Sequence, residues 1–475
     1  MGRAVAAAVA VGLLTACGSG GDDGSAGNEG SGGSSSSPGA SSKPSVKAPE
    51  GFDTSKGWSA SLDWLPEERD ARVASLPPVE AVPRAGVVAL LQRKDEGYVV
   101  EARDAATGTL RWSSAVWQPP APVDGEGQVS PPRLLVVDQD GREYVTLWAY
   151  GEDQADSDEA ASGNRVSPVD PSGESASDDT ESGTISLAFY LADSSGKDVA
   201  PARTIAIPAD VGNARVEVGD GGNGVVVAWV PPSSVDRSSA SIDISANRVQ
   251  TYEEDQVELP PVCVNEGWEN CIGGTVAGLS PDGPLMSLVI GGFGVAGSWL
   301  SRDAVPPGVN PHKADKAGRV LEIIGDHVVS TWPSFKGSDV TAMHDLKSGK
   351  LEMSAPCNVK AGPEYTPVRT AASPNGRYVV KGALAFDFER DQAYCLDDES
   401  AGIRLLSVGD DGVAHGYRQS PGASGYDPVS FSLETGEIQD LPEDTEVPFL
   451  MLQDVGGFVL PADGPGRQLV FHPRR

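Results

Sequence analysis

Residues Gly219-Asp220-Gly221-Gly222-Asn223-Gly224 match the spacing G-x-G-x-x-G of a dinucleotide cradle. That chemistry needs a strand before the glycines and a helix after them, whose N-terminus holds the pyrophosphate. Here the glycines run into "VVVAWV", a strand, so the segment reads as a hairpin turn. Asp138-Gln139-Asp140-Gly141 opens like a calcium loop, yet Tyr144 and Val145 follow with no ligating glutamate at the required distance, and an Asp-Gly turn accounts for it. Between Glu152 and Glu181 lie ten acidic residues and Arg165 among Ser, Gly and Pro. Asp156, Asp158 and Glu159 could gather oxygens for a weakly held calcium ion, but the D-x-D-x-D-G order is missing. The reading is a disordered, solvated surface insertion. The five histidines, His312, His327, His344, His415 and His472, include no pair at i, i+4. His344 stands at a strand-to-turn position and is expected to pack or to face solvent. There is no G-x-S-x-G elbow, H-E-x-x-H pair or P-loop. Paired-carboxylate glycosidase chemistry cannot be pinned on two residues when 68 are acidic. The sequence therefore assigns no catalytic residue, no cofactor-binding residue and no metal ligand, and the expectation is a non-enzymatic protein without cofactor.

The elements around these residues are short strands. "GYVVEARDAATGTLRWSS", residues 97 to 114, alternates Tyr98, Val100 and Ala102 with Val99, Glu101 and Arg103, turns at Asp104 to Gly108, and resumes with Leu110 and Trp112. "RLLVVDQDGREYVTLWAY", "ARVEVGDGGNGVVVAWV", "GRVLEIIGDHVVSTW" and "GGFVLPADGPGRQLVFHP" read the same way. Long runs of 3.6-residue periodicity are missing, and Leu62 to Ala74 is the one candidate for a short helix. The turn "DAATGTL" recurs in weaker form at Asp193, Asp243, Asp345 and Ser432. Asp193 to Asp243 is 50 residues, Asp243 to Asp345 is 102, and Asp345 to Ser432 is 87. A second marker, "SPDG" at Ser280 and "SPNGRYVV" at Ser373, falls at another phase of the same unit. Periods of about 40 to 50 residues with four strands each mark propeller blades.

"YVVEARDAATGTLRW" resembles the repeat of PQQ-dehydrogenase-like propellers, and "SPNGRYVV" is similar to TolB-like and WD-repeat propellers. The resemblance implies an all-β fold, a single β-propeller, over most of residues 78 to 475. It implies little about function. Quinone-dependent members use a disulfide of adjacent cysteines above the cofactor, and this chain has no adjacent cysteines, which argues against PQQ. Strand sets fall at 78–114, 130–208, 214–262, 272–304, 318–356, 366–398 and 402–442. Three more strands follow at the C-terminus, and "WSASLDW", Trp58 to Trp64, is placed to supply their fourth. Eight blades is the reading, with seven as the alternative.

The N-terminus sets the expected address. Arg3 precedes the apolar run "AVAAAVAVGLLTA", of signal-peptide length and too short to span a bilayer. Leu14-Thr15-Ala16-Cys17 resembles the lipobox of bacterial lipoproteins, in which the Cys is acylated and becomes the first mature residue. The implied organisation is a signal peptide over 1–16, a lipidated Cys17 with a disordered Gly/Ser-rich tether over 17–49, and the propeller over 50–475, with the acidic insertion near 152–181. As a flexible coil the tether has a reach of roughly 30 Å. The expected location is the outer face of the cytoplasmic membrane, held there by lipid on Cys17. The leader, the tether and an Ala/Gly/Asp/Val-rich body together look like lipoproteins of high-GC Gram-positive bacteria.

Four further cysteines, Cys263, Cys271, Cys357 and Cys395, make an even count, as disulfides in an exported chain require. Three pairings are possible. The favoured one joins Cys263 to Cys271 locally and Cys357 to Cys395 between neighbouring repeats. Zinc is disfavoured by the lack of C-x-x-C or a histidine at ligand spacing. A net charge of -32 argues against a nucleic-acid partner and against a polybasic grip on anionic lipid. The function expected is a membrane-anchored binding or scaffolding module for a protein, peptide or envelope polymer on one rim of the disc. The alternative is an extracytoplasmic propeller enzyme, a hydrolase or lyase acting on a glycan.

Overall fold

In the strand Val87–Lys94 the first five residues are all buried, which a sheet covered on both faces requires. Val87, Ala89 and Leu91 pack toward Val145 and Leu147, while Val88 and Leu90 pack toward Leu452 and Leu469. Successive side chains point to opposite faces, so each sheet has a neighbour on either side. The computed structural model describes residues 46–475 apart from 66–76, 96, 122–131, 153–182, 210, 212–215, 232–236, 253–271, 310–317, 335–338, 358–369, 399–400, 421–424 and 461–465. Cys17, the tether up to residue 45, Cys263, Cys271, His312 and nearly all of the acidic stretch lie outside the described residues.

Eight sheets, each with an antiparallel four-stranded body, follow one another as the blades of a β-propeller, numbered here in chain order. The first strands of blades 1 to 8 are Val79–Val82, Arg133–Gln139, Val216–Asp220, Ile272–Ser280, Arg319–Ile324, Thr370–Ala372, Ala401–Val408 and Leu450–Leu452. First strands of neighbouring blades approach one another around most of the ring, which places them innermost, while the first strand of blade 4 packs on the second and third strands of blade 3. Seven of the eight seams carry their own apolar cluster among the described residues, and a further cluster packs Val46 and Phe52 onto blade 8. Blade 8 takes three strands from the C-terminus and its fourth from Trp58–Leu62, with Trp58 opposite Phe471 and Leu62 opposite Arg467. The ring thus closes with every blade flanked by two others and only short strand edges left outside, which matches the sequence reading of eight blades.

The recurring turn has a mechanical role. Asp104 Oδ1 accepts from the Thr107 amide at 3.0 Å, Asp243 Oδ1 from the Ala246 amide at 2.9 Å, and Asp345 Oδ1 from the Ser348 amide at 2.7 Å. Ser432 Oγ does the same for Thr435 at 3.2 Å. These turns join the third and fourth strands of blades 1, 3, 5 and 7. An aromatic side chain from the preceding blade docks on three of them. Trp58 Nε1 donates to Ala105 O at 2.8 Å, Trp299 Nε1 to Leu346 O at 3.2 Å, and the Tyr394 hydroxyl to Leu433 O at 2.9 Å. Gly108 and Gly349 must lack a Cβ, because one would stand 2.5 Å and 2.3 Å from the Trp58 and Trp299 rings.

Two expectations are revised. The Asp193 turn does not open a third-to-fourth hairpin. The chain leaves it into Gly196–Val199, which pairs in parallel with the outer strand Leu110–Ser114 of blade 1, and only then returns as Arg203–Ala209 to complete blade 2. Trp112 Nε1 still reaches Ala192 O at 3.0 Å, so blade 1 is tied to blade 2 at the same place. The helix expected over Leu62 to Ala74 begins inside the closing strand, and 66–76 lie outside the described residues; the helical turn that is described is Ser301–Asp303.

Cys357 and Cys395 are joined, with Cα atoms 5.5 Å apart and 38 residues of separation. The bridge ties the end of blade 5 to the outer strand of blade 6. Replacing Cys395→Ser is expected to cost about 4 kcal/mol by loop-closure entropy, read as a fall of roughly 5 °C in melting temperature; an unchanged thermal midpoint would show that the staple does not hold the ring. Trp58→Ala removes the stack on Phe471 (ring centroids 4.0 Å apart) and the bond to Ala105. It should destabilise by about 2–3 kcal/mol, below a fully buried tryptophan because this ring is partly exposed. Urea midpoints of the two proteins measure this.

Candidate functional site

The regular ring is broken between blades 3 and 5. Among the described residues, the apolar cluster at the seam between blades 3 and 4 has Val276 and Met286 as its buried members, with Val226, Tyr252 and Leu279 packed against them. Beside it lies a cavity of about 610 Å³, lined by the first strands of blades 3, 4 and 5 and reaching Lys381 of blade 6. Gly274 and Arg319 stand near the starts of their strands, and Asp220 and Ile323 near the ends.

Two bulges shape the lining. Val276 and Gly278 face Met286 and Leu285, leaving Ala277 as an extra residue; Val320 and Glu322 face Ser330 and Val329, leaving Leu321 extra. A bulge bends its strand and re-aims a side chain. Leu321 is 38% exposed although its strand is innermost, and both Ala277 and Leu321 line the cavity. The G-x-G-x-x-G segment is a hairpin turn, closed by Gly221 N donating to Gly224 O at 2.9 Å. It leans across blade 4: Leu279 N donates to Gly221 O at 2.6 Å, and a Cβ on Gly222 would stand 2.9 Å from Gly325 O of blade 5. Its glycines serve close approach between blades, not phosphate.

Six charged side chains line the cavity. Glu217 pairs with Arg237 at 3.8 Å. Glu322 accepts hydrogen bonds from Lys381 Nζ and Thr370 Oγ1, which ties blade 5 to blade 6. Ser287 Oγ accepts from the Val320 amide at 3.3 Å, so this hydroxyl joins blade 4 to blade 5. Arg319 is exposed and, among the described residues, has no carboxylate partner. Asp220 accepts from the Gly222 amide at 2.9 Å. Loss of hydration, chiefly, and the fields of Asp138, Glu322 and Asp326 push its carboxyl up to about 7. The residue keeps some exposed surface, and water there screens part of the consequence.

The described histidines lie elsewhere. His344 is buried against Phe293 and Trp332, and burial lowers its pKa to about 4. His415 is buried beside Phe52, again lowered to about 4 by burial. His327 Nδ1 meets Glu352 at 2.7 Å over Phe388, and His472 Nδ1 donates to Lys56 O at 2.6 Å. No group of three acidic, His or Cys side chains placed to hold a metal ion occurs among the described residues. Of the residues singled out in the sequence, Cys357 and Cys395 are brought together, while Cys17, Cys263 and Cys271 lie outside the described residues. Arg319, Leu321 and Lys381 were not singled out by sequence: "GRVLEII" reads as an ordinary alternating strand, and a bulge leaves no mark in composition.

No protein-family model matches the chain, and no curated protein matches it in sequence. Similar solved structures include an uncharacterized protein from Listeria monocytogenes EGD-e, 8% identical over 82% of this chain and 92% of that one, with a TM-score of 0.33. A quinohemoprotein alcohol dehydrogenase from Pseudomonas putida is 12% identical over 88% and 76%, with a TM-score of 0.37. TolB from Acinetobacter baumannii is 9% identical over 81% and 79%, with a TM-score of 0.26. Likeness at this level assigns neither ligand nor chemistry to the cavity.

Asp220 supplies a pH signature. Its raised pKa means that the folded state holds a proton that the unfolded chain has released. Stability contributed by that proton is complete below the ordinary value of 3.8, falls as pH rises, and is gone above about 7. Asp220→Asn should therefore gain thermal stability over the wild type between pH 4 and pH 7, by roughly 1–3 °C, and hold that gain to pH 8. A difference independent of pH would place the ionisation elsewhere.

Proposed function

We propose that the chain is a lipid-anchored, extracytoplasmic, non-enzymatic binding module whose ligand sits in the cavity on blades 3 to 5. The observation that carries this reading is how the cavity's polar groups are used. Glu217 and Arg237, Glu322 with Lys381 and Thr370, and Ser287 with Val320 are engaged with one another across strands and blades. That wiring makes a rigid, mixed-polarity seat of about 610 Å³, within the size range of small-molecule sites. A glycan hydrolase would instead need two carboxylates free to serve as acid and base, and of the three in the lining Glu217 and Glu322 are already engaged by Arg237 and Lys381. The four described histidines serve packing or pair outside the cavity. The excess of acid over base makes nucleic acid an unfavourable partner.

The anchor rests on Leu14-Thr15-Ala16-Cys17 and the polar tether after it. Among the described residues no helix is long and apolar enough to cross a membrane. Cell fractionation tests the anchor: the wild type should sediment with membranes and Cys17→Ala should not. A Cys17→Ala protein that stays tightly bound would overturn it. The non-enzymatic assignment is tested by incubating the purified protein with cell-wall glycan. No reducing ends should appear, and turnover abolished by Glu322→Gln would reverse the assignment.

A further inference from the structure

Resting on the reading that the cavity is a ligand seat, we infer that its ligand is a carboxylate carried on an apolar stem. Three observations converge. Arg319 is the one cation of the lining without a carboxylate partner among the described residues, whereas Arg237 is matched by Glu217 and Lys381 by Glu322. In a chain with 68 acidic and 36 basic residues, an exposed guanidinium lining the cavity with no carboxylate beside it is available to an anion; its planar fork suits a carboxylate bidentately. Two residues along the same strand, the bulge at Leu321 turns an aliphatic side chain into the space, where it is 38% exposed. Val218 and Val226 continue the apolar wall, and Gly274 and Ala277 leave room in front of it. Arg319 at the strand start is exposed and Ile323 near its end is buried, which gives the seat a charged end and an apolar wall.

Asp220 and Glu322 stand near the ends of their strands, and a ligand carboxylate placed there would meet this acidic pair instead of an unpaired cation. Asp138, Glu322 and Asp326 add to the negative field that Asp220 feels. The ligand's charge therefore belongs at Arg319 and its stem toward Ile323. The net charge of -32 repels anions at a distance, so selectivity must come from contact at the cavity itself. Such a carboxylate occurs on a fatty acid or at the C-terminus of a short apolar peptide.

Calorimetric titration of the purified protein with defined probes tests the assignment. Decanoate, decyltrimethylammonium and decanol share a stem and differ in head charge; acetyl-Ala-Val-Leu and its C-terminal amide provide the peptide arm. Decanoate or the peptide acid should bind at one site, at least tenfold more tightly than its cationic or amide counterpart. Arg319→Gln should weaken that binding by about tenfold or more, with Arg93→Gln, exposed on blade 1, leaving it unchanged. In the wild type, shortening decanoate to butyrate should weaken binding stepwise, a readout that needs no variant. Which acid binds identifies the source of the stem. Equal binding of the cationic or neutral probe, or of acid by Arg319→Gln, would overturn the anion assignment while leaving the cavity a ligand seat. Binding of none of the five would overturn the inference outright, and the anchor would still be judged by fractionation of Cys17→Ala.

Discussion

Each blade is a sheet with two apolar faces, and no blade can bury both by itself. Val87, Ala89 and Leu91 need blade 2, while Val88 and Leu90 need blade 8. A row of such sheets would end in two exposed faces, a liability for association, unless the row bends into a ring. The ring forms because the chain's first strand is withheld from the first blade and given to the last. Trp58–Leu62 pairs with Arg467–Pro473, and Trp58 then binds Ala105 of blade 1. One strand therefore serves as the fourth element of blade 8 and as its latch onto blade 1. Val46 and Phe52, just before it, pack on Met451, Phe458 and Val470, so the segment leading into the latch is fixed too.

Closure also explains why a cavity is tolerated where it lies. Eight seams share the ring's stability, so one can be thin. Between blades 3 and 4 the cluster has two buried members among the described residues, where the seams of blades 2–3 and 4–5 carry longer ones. The glycine turn of blade 3 compensates by reaching over blade 4 to blade 5, and Lys381 with Glu322 ties blade 5 to blade 6. Bulges at Ala277 and Leu321 then occupy the slack with exposed lining in place of core. The cavity thus lies where the seam is thin and where ties to blades 5 and 6 bridge it.

The fold was largely legible because its markers are local. Asp104, Asp243, Asp345 and Ser432 cap the same turn in four blades, and their spacing counted those blades. The aromatic partners were harder to see. Trp58, Trp299 and Tyr394 act on turns 47, 47 and 39 residues further on; a search for aromatics one blade length before each Asp or Ser would have found them. Asp193 misled because a turn signal states that the chain reverses, not which sheet receives it. The cavity was illegible for a different reason: Arg319 and Leu321 acquire meaning from a bulge and from neighbouring blades distant in sequence, and neither is encoded in local pattern.

The closing strand is the element on which the whole account depends, and amide hydrogen exchange reads it directly. If the latch holds the ring, Trp58–Leu62 amides that face Arg467–Pro473 should exchange as slowly as those in the middle strands of blade 8, because they open only when the ring does. Exchange of that strand at the rate of an unstructured peptide, with the rest of blade 8 still protected, would contradict it: the ring would then be held by its seams, and closure by the N-terminal strand would be incidental.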